Sequence, residues 1–154
     1  MNTDDDGSPR ILVVTPMDWA RSHPTYFFAN GRASAEELAQ QLLDGARALG
    51  SASASLQSTS EWFAVGAEDD WFPRARFKVP EHFAFDALTP CPELGQNRVR
   101  PEAIVAAFAR DVIVLGPVGA LVVKGNIASA DKIHALLAEH PSWQRAVAFR
   151  GVEA

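Results

Sequence analysis

The chain has 154 residues, 14 basic and 19 acidic, for a formal net charge of −5, which argues against a protein whose main work is coating nucleic acid or an anionic membrane. Leu, Ile, Val and Phe supply about a quarter of the residues, above the level of roughly 20% below which chains fail to build a core, and the length suits one domain. A single cysteine, Cys91, rules out an intramolecular disulfide and points to a reducing, cytoplasmic setting.

Residues 1–9 include Asp4, Asp5 and Asp6 with nothing apolar to bury, and read as a flexible acidic arm lacking the basic and apolar regions of a secretory signal. Residues 10–154 read as a single α+β domain. Ile11, Leu12, Val13 and Val14, closed by Thr15 and Pro16, have the profile of a short buried strand. Residues 17–33 scatter Trp19, Pro24, Tyr26, Phe27 and Phe28 among polar residues and read as a long loop. The clearest element follows. Ser34 and Glu37 have the spacing of a reciprocal cap, Leu38, Leu42, Ala46 and Leu49 recur at helical spacing, and Gly50 ends the helix.

Residues 51–60 alternate alanine and leucine with serine, an expected strand. Residues 61–66 and 74–79 read as a hairpin across the acidic turn of Glu68, Asp69 and Asp70. In its second strand Ala75, Phe77 and Val79 alternate with Arg74, Arg76 and Lys78, which predicts one buried and one basic face. Residues 80–100 hold Pro80, Pro90, Pro92 and Gly95, so little regular structure is expected, yet a connector this long is rarely passive in a compact domain. Pro101 suits the first turn of a helix, with Glu102 at its positive end and Ile104, Val105 and Phe108 as its packing face.

Residues 112–115 and 120–123 flank Gly116, Pro117, Val118 and Gly119, and predict a hairpin of two central, buried strands. Ser129 or Asp131 caps a helix running to His140 and stopped by Pro141, and residues 143–149 alternate as a last strand. The expected fold is α+β, with a mixed or mostly antiparallel sheet of about five to seven strands and about three helices packed on it.

No catalytic constellation is legible. The glycines between residues 116 and 125 match neither a Walker nor a dinucleotide pattern and read as turns. His23, His82, His134 and His140 are dispersed and Cys91 has no partner at ligand spacing, so neither metal nor cofactor is expected. Cys91 with His82 as base is a nucleophile candidate, provided its surroundings stabilise a thiolate.

The most distinctive stretch is 62–85, where Trp62, Phe63, Trp71, Phe72, Phe77, Phe83 and Phe85 stand beside Arg74, Arg76 and Lys78. Trp and Arg are common anchors of binding hot spots. The expected binding surface is Trp62, Trp71, Phe72, Arg74, Arg76 and Lys78, in a non-enzymatic protein-binding domain: an adaptor, an assembly factor or an immunity-type inhibitor. Its expected partner is a protein, not duplex nucleic acid or a membrane. The competing account puts these rings in the core beneath a long loop, with the basic residues guarding an exposed strand.

An alternative rests on the strand, turn, strand, helix, strand order of residues 111–151, which resembles the ferredoxin-like subunits of dimeric α+β barrels. That resemblance implies a homodimer with small-molecule binding or modest acid–base catalysis in a cavity behind the sheet, where His23, Tyr26 or His82 supply polar groups.

Overall fold

In the computed structural model, which describes residues 13–153, the last strand, β5 (Arg145–Val152), is central because both of its faces are apolar. Val147 and Phe149 enter one core while Ala146 and Ala148 enter another, so the strand is covered on both sides and hydrogen-bonded along both edges. The other strands are β1 (Ser55–Ser58), β2 (Phe63–Ala67), β3 (Ala109–Gly116) and β4 (Gly119–Lys124), in the order β1-β2-β5-β3-β4 with every neighbouring pair antiparallel.

The larger core lies between one face of this sheet and two helices, α2 (Ala35–Ala48) and α4 (Pro101–Phe108). Ser34 caps α2 by accepting from the Glu37 amide, Leu38, Leu42, Ala46 and Leu49 are all buried, and Gly50 takes φ +91° at the helix end, as its sequence predicts. The return half of the expected cap is absent, because the Glu37 carboxylate accepts from the Ala29 amide instead. Pro101 opens α4, whose first seven residues are all buried.

The smaller core covers the opposite face. There Ile133, Leu136 and Leu137 of α5 (Lys132–Ala138) pack with Trp62, Ile113 and Trp143, beneath a helix capped by Asp131. The Trp143 indole lies flat on Gly66 of β2, in the space a side chain would need. Packed side chains cover both sheet faces at β2, β5 and β3, while at β4 a cleft stays open between the sheet and residues 81–86.

Four local expectations need correction. Of the first expected strand, Ile11 and Leu12 lie outside the described residues, as does the acidic arm, while Val13 and Val14 are exposed and in no strand. The Thr15 and Pro16 pair read as the strand's end is a helix start: the Thr15 hydroxyl accepts from the Asp18 amide and caps α1 (Pro16–Ser22). Residues 17–33 accordingly hold most of α1 and a single 3-10 turn, Pro24–Tyr26. Residues 74–79 are not a strand, because the edge of β2 that a hairpin would occupy is taken by β5. Finally, β4 is an edge rather than a central strand, with Leu121 and Val122 each about half exposed.

The close approach of Trp143 gives a direct test of the smaller core. Gly66→Ala should destabilise the protein by about 1–3 kcal/mol in urea denaturation, the usual cost of overpacking. A change below about 0.5 kcal/mol, typical of a surface substitution, would show that the indole does not rest on this glycine.

Candidate functional site

The structure splits the six expected binding residues into two groups. Trp62, Trp71 and Phe72 are interior, 0%, 1% and 7% exposed, so the aromatic half of that surface is core. Arg74, Arg76 and Lys78 are exposed, on a segment that also leaves Phe77 and Phe83 at 46% exposure.

Buried arginines hold the interior rings. Arg145, at the first position of β5 and 3% exposed, gives parallel hydrogen bonds of 2.9 Å from Nε and Nη2 to the two oxygens of Asp70, and its Nη1 donates to Glu81. Its guanidinium lies 4.0 Å from the Phe72 ring centroid, and that of Arg100 lies 4.8 Å from the same ring. Arg100 donates to both oxygens of Glu102 and to the Phe72 carbonyl, while the Trp71 indole N–H donates to Glu102 Oε1 at 3.1 Å. Glu102 is thus more than a helix-dipole partner: at 1% exposure it is the buried acceptor that joins the 70–74 segment to α4. Buried charges survive only when paired and fully hydrogen-bonded, and here two arginines, three carboxylates and an indole satisfy one another.

Trp62 belongs to a second network on the opposite sheet face. Its indole N–H donates to Asp131 at 2.9 Å, and Arg150 covers its ring at 4.5 Å while bonding Asp111 at 2.8 Å and Asp131 at 2.7 Å.

The exposed basic residues are less constrained. Arg74 pairs with Asp69 at 2.7 Å, the Arg76 amide donates to Glu93 at 2.6 Å, and the Arg76 guanidinium sits 5.8 Å from the Phe77 ring. The chain then turns into α3 (Phe83–Asp86), which faces β4 across a cleft of about 370 Å³. Phe85, Val114, Leu121 and Val122 form its apolar lining, and Glu81, His82 and Asp86 its polar lining.

Of the usual guards against strand addition, the edge strand along this cleft has a register shift against β3 that leaves Val123 without a partner, but few others. Between Gly119 and Lys124 it has no proline, and its one charge, Lys124, is turned into the protein, donating to the carbonyls of Ala106 at 2.9 Å and Ala109 at 2.7 Å. The opposite edge, β1, is four residues long and carries Ser55, Gln57 and Ser58. Leu121 and Val122 escaped the sequence reading because an apolar run marks a strand without saying how many neighbours it has.

The nucleophile candidate does not hold. Cys91 is buried, and burial foremost, then its hydrogen bond to Glu93 at 3.4 Å, pushes the thiol up to about 11, so it is no thiolate at neutral pH. His82 lies with its ring 4.3 Å from that of Phe83. His23 is stacked on Trp19 at 4.4 Å with Nδ1 2.7 Å from the Trp19 carbonyl, and Tyr26 is 71% exposed beside it. Among the described residues no three His, Cys, Asp or Glu side chains gather closely enough to hold a metal ion, and no helix is long and apolar enough to cross a membrane.

Comparison with protein-family models, curated proteins and solved structures finds no match to this chain. Its α+β architecture and its exposed aromatic and charged clusters are therefore read from its own residues.

Burial raises the Asp70 carboxyl, but Arg145 and the Phe72 amide outweigh it and hold it below the usual carboxylate range. A depressed native value means that Asp70 stabilises the fold above its unfolded pKa of about 3.9 and loses that contribution as pH falls through the native value. The melting temperature should fall steeply below about pH 4, and less steeply in Asp70→Asn; parallel profiles would remove Asp70 from the account. Cys91 should react with a thiol reagent far more slowly in the native protein than in urea, whereas equal rates would mean an accessible thiolate.

Proposed function

We propose that this protein is a non-enzymatic protein-binding domain that takes an extended segment of a partner protein as an added strand along β4. The observation that carries the reading is the open edge: β4 is hydrogen-bonded on one side only, with Leu121 and Val122 half exposed beside the apolar cleft under α3. Strand addition satisfies the free backbone groups of such an edge, and pockets for alternate side chains supply selectivity. The cleft between β4 and α3 is one such pocket.

Arg76 and Lys78, with exposed Phe77 and Phe83, lie on the connection that leads into α3 and favour a partner with acidic residues beyond its strand, whereas Arg74 is paired with Asp69 beside Gly50. Trp71 and Phe72 act from behind, by holding the 70–86 region against the sheet, while Trp62 anchors α5 on the opposite face. Capture without chemistry is the work of an adaptor, an assembly factor or an immunity-type inhibitor. A lone thiol suits a reducing compartment, and we place that work in the cytoplasm.

Panning a displayed random-peptide library on the full chain, with the Leu121→Lys/Val122→Lys variant as counter-target, tests the reading. Enriched peptides should alternate β-branched or aromatic residues with polar ones and carry an acidic flank. A labelled enriched peptide should bind the variant at least about tenfold more weakly, a loss of about 1.4 kcal/mol, with the urea midpoint unchanged because both positions are half exposed. Equal binding to the variant, or no enrichment, would overturn the proposal. A wild-type dimer in sedimentation that dissociates in the variant would also overturn it, by making a second copy of this chain the occupant of the edge.

A further inference from the structure

A separate cleft, of about 500 Å³, gathers basic side chains from distant parts of this acidic chain. Arg21 comes from α1, Arg32 from the segment before α2, Arg110 from β3 and Lys124 from the end of β4. Glu153 is the one carboxylate in the lining. Four cations around one concavity in a chain of net charge −5 repel one another, and that arrangement favours an anion between them.

Among the described residues, much of their hydrogen-bonding capacity is uncommitted. Arg21 bonds Asp18 through Nη2 at 2.7 Å, and Arg110 bonds Asp111 through Nε at 3.1 Å, so each keeps further N–H groups of its five. Lys124 spends two of its three donors on the Ala106 and Ala109 carbonyls, which fixes the ammonium and leaves the third. Arg32 makes no ion pair among the described residues. The proximity of the charges registers on Lys124, whose pKa is lowered by burial first and then by Arg21.

The remaining walls are apolar or bare backbone. Pro24, Ala33, Ala107 and Phe108 contribute apolar surface, and Gly31 and Gly151 lie at φ +70° and +73°. At Gly151 a Cβ would sit 2.7 Å from Arg110 Cβ, so glycine there lets β5 pass close beneath the arginine. The volume lies in the range of small-molecule sites, larger than one inorganic oxyanion needs.

We propose that this cleft binds a small organic phosphate, its phosphoryl group held by Arg21, Arg32, Arg110 and Lys124 and its apolar body laid against Phe108. A phosphate monoester carries nearly two charges at neutral pH and three acceptor oxygens, and so matches several cationic donors better than a carboxylate does. The site shares Lys124 with β4 but no residue with the cleft under α3.

Titration of the full-length protein with phenyl phosphate, benzoate and inorganic phosphate, followed by amide NMR at low salt, tests the proposal. Phenyl phosphate at millimolar concentration should shift resonances of residues 31–33, 107–110 and 151 saturably, and bind more tightly than either other probe. Arg32→Gln and Arg110→Gln, both at exposed positions, should each weaken it about tenfold, the loss of about one charge-assisted hydrogen bond, while Arg76→Gln/Lys78→Gln leaves it unchanged. Three results would overturn the proposal: no saturable shift in the cleft, equal binding of benzoate or inorganic phosphate, or equal weakening by the control substitutions.

Discussion

A guanidinium at the first residue of the central strand is the constraint on which the arrangement depends. Arg145 sits where β5 enters the core, and an unpaired charge there would cost several kcal/mol. Asp70 and Glu81 neutralise it, and both lie on the long connection between β2 and α4. Neutralising Arg145 therefore brings residues 70–86 onto the sheet. Arg100 and Glu102 hold the same stretch from the helix side, and Phe72, close to both guanidiniums, is the shared contact.

Five residues further along β5, on the opposite face, Arg150 has a parallel role. It joins Asp111 of β3 to Asp131 at the start of α5 and covers the Trp62 ring. Alternation on a strand sends positions 145 and 150 to opposite faces, so one strand ties both layers to the sheet through charged hydrogen bonds. Each network uses an acid followed directly by a tryptophan, Asp70 with Trp71 in one and Glu61 with Trp62 in the other. Both tryptophans thus serve as structural anchors.

Features set by neighbours in the chain were legible in the sequence: the Ser34 cap and apolar stripe of α2, Pro101 at the start of α4, the β3–β4 hairpin and the Asp131 cap. Features set by distant partners were not. Alternation at 74–79 placed Ala75 inside and Arg74, Arg76 and Lys78 outside, as observed, but Phe77, expected on the buried face, is 46% exposed, and alternation could not reveal that β5 occupies the ladder position beside β2. The apolar run of β4 resembles that of β3, and only the strand order shows one at the edge and the other inside. Burial of Trp62 and Trp71 was equally hidden, because a tryptophan anchoring a core and one anchoring an interface look alike until the acceptor of the indole N–H is known.

With Trp62, Trp71 and Phe72 committed to the core, the exposed features proposed for recognition are the β4 edge, the basic residues 74–78 and the cleft of four cations. The division between anchoring and recognition rests on the claim that the arginine networks hold residues 70–86 in place. Native-state hydrogen exchange of the wild type and of Arg145→Met measures this directly. The account predicts that the amides of residues 70–86 lose protection together in the variant while those of α2 and β1 keep theirs; unchanged protection across 70–86 would contradict it.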